Sequence, residues 1–291
     1  MLNKKTVLVI GGSGFLGFEI AKKFSDKNFK TYIADKYTPK LNIKNVKYLK
    51  VDIENEKSLK KIIKKDMIIV HAAGITSIEE CHENPKKTMN TNIIGSYNVI
   101  KVCNSKKVYR LIFTSSLYVQ SNKGSFYRIS KQAVESMIEV FKEKHNLPFT
   151  IVRYGSLFGQ NSQNWNFIKK LILNLNKKNQ ININYKKKLT RNYIHVNDAA
   201  ELTVNCIARK YLNKCVLITG KKKILISNII KYVKKLYSKN KIKVNYSTNN
   251  TDHYSNNPKL FKYKTHQIMY PKKSKSLFDE IKNIYKDVNK K

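Results

Sequence analysis

Tyr127 and Lys131 stand four residues apart in the segment YRISK. On a helix that spacing projects both side chains from one face. A phenol ionises near pKa 10, so its use as a base near neutrality needs that value lowered by about 3, or ~4 kcal/mol. A lysine ammonium one turn away supplies part of that stabilisation. Ser116 closes the apolar run RLIFTSS and is placed to hydrogen-bond the same substrate hydroxyl. Three residue types thus answer the needs of proton removal from an alcohol. A Tyr and Lys at this spacing occur by chance in most chains of this composition, so the pair gains its meaning from what surrounds it.

The run TVLVI leads directly into GGSGFLG and then into FEIAKKF, which has helical period. Gly11, Gly14 and Gly17 therefore sit at a strand-to-helix turn, where glycines let the backbone turn tightly, approach a pyrophosphate and pack helix on strand. A purely structural turn is the alternative. Asp35 ends the second run, 18 residues past Gly17, where a carboxylate accepts hydrogen bonds from adenosine ribose hydroxyls. A carboxylate there repels a 2′-phosphate, which favours NAD over NADP; adjacent Lys36 softens that choice, and a solvated turn before Pro39 is the bland reading. The next run ends VDI, so Asp52 and Ile53 are placed to hold an adenine by its edge and face. His71-Ala72-Ala73-Gly74 closes the fourth run with small residues that give ribose and nicotinamide room, or simply let a helix pack closely.

These residues need a scaffold, and the chain has one written in it. Short β-branched runs at 6–10, 30–35, 46–52, 67–73, 110–116 and 149–155 alternate with helical segments at 16–26, 55–65, 85–105 and 127–145. That alternation predicts an α/β fold, a Rossmann-type doubly wound parallel sheet with a smaller C-terminal substrate-binding lobe. Pro85 suits a first helical turn. Beyond 156 the alternation breaks: a helix at 164–177, strands at 180–185, 191–196 and 215–219, and helices at 197–210 and 226–238 follow. The Lys- and Asn-rich stretch 239–291 is only weakly periodic and reads as helical with long loops. The expected organisation is an NAD-binding domain over 1–160, completed by about 190–219, and a smaller lobe from 161–189 and 220–291.

Of 291 residues, 41% are hydrophobic and 26% charged, which excludes a disordered chain, a collagen and a small disulfide scaffold. The anomaly is the net charge of +39. Arginine, the usual reader of bases, is rare, and lysine is scattered over the whole chain alongside Asn and Ile. The expectation is a genome-composition effect rather than a specific nucleic-acid site. Cys81, Cys103, Cys206 and Cys215 show no metal-ligand or paired spacing, as expected of a reduced, cytoplasmic chain. The apolar run after Lys4-Lys5 is about five residues long, too short for a signal peptide, and no stretch approaches the ~20 residues of a membrane span.

Taken together, GGSGFLG, Asp35, VDI, HAAG, NIIGS at 92–96, TSSLYV at 114–119, YRISK, VRYGSLFG at 152–159 and TRNYIHVNDAA at 190–200 resemble the extended short-chain dehydrogenase/reductase superfamily, in its NAD-dependent epimerase/dehydratase family. The resemblance covers roughly residues 6–220. It implies Ser116, Tyr127 and Lys131 as catalytic residues. For NAD it implies contacts from Gly11, Gly14, Phe15, Leu16, Gly17, Asp35, Asp52, Ile53, Ala72, Ala73 and Gly74, from Asn92 as a support of the lysine, and from Tyr127, Lys131 and Tyr154. Substrate contacts fall to Ser116, Ser156 and Arg191, the last as a ligand of a pyrophosphate, with a surface ion pair as its rival. Asp198 is expected to cap the following helix, and His195 to be a packed strand-end residue.

The sequence also departs from the family. Ser116 and Tyr127 lie only 11 apart, so a substrate-contacting loop is missing. The usual V-Y-G after the serine reads Val119-Gln120-Ser121, and Ser156 replaces a frequent Asn. Leu117-Tyr118 stand where sugar 4,6-dehydratases carry Asp-Glu, which disfavours that dehydration. The expected function is an NAD-dependent nucleotide-sugar epimerase, with an NAD(P)-dependent sugar or keto reductase/dehydrogenase as the alternative and a non-catalytic NAD- or polyanion-binding protein as a further one. The expected partners are a nucleotide-activated sugar or related small molecule and a second copy of the chain, packed through 85–105 and 127–145, with no membrane.

Overall fold

The computed structural model of the chain describes residues 5–178, 180–183, 189–237, 242–246 and 265–289. In chain order the elements begin with β1 (Thr6–Ile10), α1 (Phe15–Asp26), β2 (Lys30–Asp35), β3 (Lys47–Lys50), α2 (Glu56–Ile62) and β4 (Ile68–His71). A helical stretch follows as α3 (Ile78–Glu83), α4 (Pro85–Thr88), a π-helical segment (Met89–Gly95) and α5 (Ser96–Ser105). Next come β5 (Arg110–Ser116), a 3₁₀ turn (Leu117–Gln120), α6 (Ser125–His145), β6 (Phe149–Tyr154), β7 (Ser156–Phe158), α7 (Phe167–Lys178) and β8 (Gln180–Ile183). The chain continues as β9 (Thr190–His195), α8 (Val196–Asn205), β10 (Lys214–Ile218), β11 (Lys223–Leu225), α9 (Ile226–Leu236), β12 (Lys243–Tyr246), β13 (Gln267–Met269) and α10 (Leu277–Asn289).

Strand residues two apart face the same side, and both faces are apolar because helices cover both. In β1, Val7 and Val9 enter one core with Ile33, Ile68, Val70, Ile112, Val152 and Val216, under α1 and α8. Leu8 and Ile10 enter the other with Ile69, Leu111, Phe113 and Ile151, under α5 and α6. The result is an eight-stranded sheet of order β13-β10-β6-β5-β4-β1-β2-β3, every pairing parallel. The winding reverses between β1 and β4, so the carboxyl ends of those strands open a crevice, the place where such sheets bind ligands. A third apolar cluster joins Ile168, Leu171 and Ile172 of α7, Ile229 and Val233 of α9, and Ile281 and Ile284 of α10. Beside it lie a three-stranded sheet β11-β9-β7 and the pair β12-β8.

The six strands expected of the doubly wound sheet all lie in it, joined by β10 from the expected 215–219 strand. The expected helix at 85–105 runs its full length but with a π segment at its middle, and Pro85 takes the first helical position. The stretch 239–291, read as helical, also supplies two short strands, and β13 completes the sheet edge beside β10. Its parts at 239–241, 247–264 and 290–291, with the expected strand residues 184 and 185, lie outside the described residues. All four cysteines are free and buried, and burial pushes the Cys206 and Cys215 thiols up to about 12, so they are protonated, unreactive packing residues. Among the described residues no metal-ligating cluster occurs and no helix is long and apolar enough to cross a membrane.

Candidate active site

The turn between β1 and α1 requires glycine for steric reasons that the structure makes explicit. Gly11 has φ +84, and a Cβ there would lie 2.3 Å from the Ala73 nitrogen, so the turn is pressed against the end of β4. A Cβ on Gly17 would lie 2.2 Å from the Gly11 carbonyl oxygen, which fixes helix on strand. Gly14 caps α1 without any side chain, and the first turn carries no acidic residue. The helix's amides and positive end are therefore left for an external anion. Asp35 ends β2 beside this turn and accepts hydrogen bonds from the Ser13 and Tyr37 amides, both at 3.0 Å. Lys36, whose charge the sequence sets beside Asp35, is instead paired with Asp52 at 2.8 Å. Ile53 is buried against Gly95 of the π segment, where any Cβ would meet it at 2.7 Å.

At the end of β4, Ala72 donates to the Ile10 carbonyl at 2.7 Å, and Gly74 with φ +146 faces Asn92. Asn92 is expected to support the lysine and cofactor region. Its amide bonds both the Ile75 nitrogen (2.7 Å) and oxygen (2.9 Å), and reaches the Ser130 hydroxyl at 3.1 Å. It ties the loop after β4 to α6, and the Lys131 ammonium bonds the Thr114 carbonyl instead of Asn92. The π turn aims Asn92 there; an unbroken α-helix would rotate the side chain away.

Three elements bring the candidate residues Ser116, Tyr127 and Lys131 together. β5 is buried along its whole length and delivers Ser116 to the sheet's carboxyl edge, opposite Tyr154 of β6. The Ser116 hydroxyl accepts from the Tyr118 amide at 3.2 Å, which leaves its own proton free to be donated. α6 delivers Tyr127 and Lys131 from one face. Tyr127 is 9% exposed, packed with Ile78 and Cys81 of α3 and edge-on to Tyr118 at 6.2 Å. The Lys131 ammonium donates to the Thr114 carbonyl at 3.0 Å and lies 6.0 Å from the centre of the Tyr127 ring. Burial brings Lys131 down to about 8, against the opposing pull of Cys81 and Glu135, so it still carries its charge near neutrality.

Behind this set is a charged pair that spacing alone does not reveal. Glu135, one turn past Lys131, takes a two-pronged contact from Arg153 (3.0 and 2.5 Å) and a bond from the Ser115 hydroxyl at 2.5 Å. All three residues are at least 95% buried. The pair joins α6, β5 and β6 beneath the residues that face the cavity. His71 is also fully buried, bonded through Nε2 to the Ser96 hydroxyl at 2.8 Å, and burial, then the Lys131 charge, push it down to about 3. It stays neutral.

Ser116, Tyr127, Lys131, Ser156 and Arg191 share one cavity of about 830 Å³ with Gly11, Gly14, Phe15, Leu16, Gly17, Ala72 and Gly74. Tyr154 reaches it only at the strand end, because its hydroxyl is held by Thr203 at 2.7 Å and burial raises its ionisation above the ordinary phenol range. Asp35, Asp52, Ile53, Ala73 and Asn92 lie outside the cavity lining, and shape the turn and loops around it. The far wall comes from residues outside the expected site: Glu79 of α3, Trp165 before α7 and Lys170 of α7, with the Lys170 ammonium at 3.0 Å from both Glu79 oxygens. Trp165, the chain's single tryptophan and 40% exposed, is the one such residue a sequence signal marks. Asp198 does not cap α8 as expected. His195 does, accepting from the Asn197 amide at 3.1 Å, while Asp198 accepts from the Lys275 amide. His195 is packed at the strand end, as expected, and its Nε2 meets Glu280 of α10 at 3.3 Å.

Comparison with known proteins shows the family and the fold. Residues 7–214 match the model of the "NAD dependent epimerase/dehydratase family". Among curated relatives, the dTDP-D-glucose 4,6-dehydratase of Dictyostelium discoideum is 27% identical over 66% of this chain, which spans 53% of that protein's length. The UDP-glucose 4-epimerase of Rickettsia bellii is 24% identical over 70% of this chain and 63% of its own. Among solved structures, a UDP-N-acetylglucosamine 4-epimerase from Methanobrevibacter ruminantium, bound to UDP-N-acetylmuramic acid, superposes with a TM-score of 0.81 at 21% identity, over 99% of this chain and 100% of the other. Matched over more than two thirds of its length, this chain belongs to the NAD dependent epimerase/dehydratase family, and is an enzyme whose cofactor is NAD.

Proposed function

We propose that this chain is an epimerase acting on a nucleotide-activated sugar, with Tyr127 as the proton acceptor, Ser116 orienting the sugar hydroxyl and Lys131 stabilising the phenolate. The residues present fit NAD. The glycine turn leaves no room for a Cβ at Gly11 or Gly17, the uncapped start of α1 faces the cavity, and Asp35 presents a carboxylate at the end of β2. NAD held by the glycine turn and Asp35 would supply a reversible hydride acceptor for the sugar carbon.

The observation that carries the reading is the convergence of Ser116, Tyr127 and Lys131 on the cavity that the glycine turn enters. Tyr127 takes the proton of the sugar hydroxyl, Ser116 donates to the same oxygen and fixes its direction, and the buried Lys131 charge lowers the cost of the phenolate. Arg191, buried on β9 and facing the cavity, is suited to a pyrophosphate because its planar fork can bind two oxygens at once. Dehydration needs an acid at the leaving hydroxyl. Among the described residues that line the cavity the one carboxylate is Glu79, engaged by Lys170 on the far wall, while Leu117 and Tyr118 follow Ser116. A homodimer is supported by the apolar side chains exposed along the π segment, α5 and α6: Met89, Ile94, Tyr97, Ile129 and Val140.

The test is turnover of a panel of UDP-, GDP- and dTDP-sugars by the NAD-loaded enzyme. Epimerisation interconverts two sugars with no net change at 340 nm. Stoichiometric formation or consumption of NADH would replace this reading with a dehydrogenase or reductase, and no turnover of any sugar would remove it.

A further inference from the structure

Gln120 stands in the middle of a segment where the family resemblance leads one to expect tyrosine, and it is 2% exposed. A buried amide needs a partner. It finds one 145 residues away: Nε2 donates to the Thr265 hydroxyl at 2.8 Å. The same oxygen accepts from Arg153 Nη1 at 3.2 Å, and Arg153 is the cation that grips Glu135. One hydroxyl therefore joins the 3₁₀ turn that Ser116 caps to the buried ion pair beneath Lys131.

We propose that Thr265 is a positioning residue for Ser116. The turn from Leu117 to Ser121 is otherwise held from the α6 side, by Gln132 on the Val119 carbonyl (2.8 Å) and Arg128 on the Ser121 carbonyl (3.3 Å). Thr265 holds it from the β6 side, so the turn is braced between the two elements whose spacing sets Ser116 against Tyr127. Thr265 is itself fixed by its neighbour: His266 donates its amide to the Cys215 carbonyl at 2.9 Å, and its Nδ1 accepts from the Cys215 amide at 3.0 Å. This brace matters more here because Ser116 and Tyr127 are only 11 residues apart, and the short connection has little structure of its own to lean on. Removing the oxygen takes an acceptor from two nearly fully buried donors at once.

The inference rests on the reading of Ser116 as a catalytic residue, so its test includes a readout independent of turnover. In the NAD-loaded enzyme, hydrogen exchange at the Tyr118, Ser121 and Lys123 amides, each hydrogen-bonded within the turn, reports the brace directly. Thr265→Val is expected to speed their exchange about tenfold or more, equivalent to about 1.4 kcal/mol, with β4 amides unchanged, and Thr265→Ser to restore the native rate. With a turned-over sugar, kcat of Thr265→Val falls about tenfold with KM within twofold, Gln120→Leu does the same, and the double variant is no worse than either. Unchanged exchange in Thr265→Val, equal loosening in Thr265→Ser, or loosening spread evenly over the sheet would overturn the brace. Ser116→Ala separates the remaining cases. If it abolishes turnover while a loosened Thr265→Val keeps full kcat, the positioning role is wrong. If Ser116→Ala turns over normally, the catalytic reading of Ser116 has failed, and the proposal with it.

Discussion

Lys131 should make the protein less stable at neutral pH, and its replacement by methionine should show by how much. The side chain is 4% exposed, and burial lowers its pKa from the ordinary 10.5 to about 8. The gap is worth about 3 kcal/mol. Because the folded value lies below the unfolded one, the unfolded chain binds the proton more tightly. The full penalty is present below pH 8, and stability recovers as pH rises from 8 to 10.5. Lys131→Met removes the penalty together with the bond to the Thr114 carbonyl, worth about 1 kcal/mol, so the expected gain at pH 7 is about 2 kcal/mol. Urea unfolding of the NAD-free protein, followed by far-ultraviolet circular dichroism at several pH values, measures it. The other lysines titrate in both proteins, so the difference isolates this site. The variant should be the more stable at pH 7, the advantage should vanish at about pH 9.5 and reverse by roughly 1 kcal/mol as pH reaches 10.5, and turnover should be lost. A variant less stable than the parent at pH 7, or a difference flat across pH 7 to 10.5, would refute the reasoning that this charge is held in place at the expense of the fold.

Tyr127→Phe is expected to lower kcat by roughly 10²- to 10⁴-fold, with NAD affinity by fluorescence titration within twofold. Arg191→Ala should cost about 10- to 100-fold in kcat/KM, mostly through KM for the nucleotide-sugar, and Arg191→Lys should recover only part because an ammonium lacks the fork. The hydrogen bond from His195 holds the Glu280 carboxyl below its usual 4.5 despite burial, so the pair stabilises the fold above that pH and its contribution is lost as pH falls through and below it. Glu280→Gln should therefore be about 1 to 2 kcal/mol less stable at pH 7, with the difference shrinking in acid; a difference that grows in acid would contradict it. Ile129→Lys with Val140→Lys, placed on 41% and 53% exposed positions of α6, should turn a dimer into a monomer in sedimentation velocity while leaving the far-ultraviolet spectrum unchanged.

What could be read from the sequence was local. Strands such as TVLVI and RLIFTSS announce themselves because a sheet covered on both faces needs largely apolar runs, and the glycine turn because its steric demands fall within one short segment, Gly11 to Gly17. The Tyr127–Lys131 pair is legible for the same reason: one helix turn separates them. What was illegible depends on partners far along the chain. Glu135 looks like any helix glutamate until β6 brings Arg153 to it, and Asp198 looks like a cap until His195 takes that place. The π segment sets Gly95 against Ile53 and Asn92 against Ile75, and neither contact leaves a periodicity in the sequence. β13 is three residues long, with Gln267 and Ile268 exposed, so it carries no apolar run to betray a strand.

That last strand has a temporal consequence. The ribosome extrudes β1 to β10 in order, so seven of the eight sheet strands can pair once Ile218 has emerged, and the glycine turn, Ser116, Tyr127 and Lys131 are by then all outside the exit tunnel. Thr265 is 47 residues further on, roughly 2 to 9 s of synthesis at ~5 to 20 residues per second. During that interval the nascent chain holds every reacting group but leaves Arg153 and Gln120 waiting for their shared oxygen.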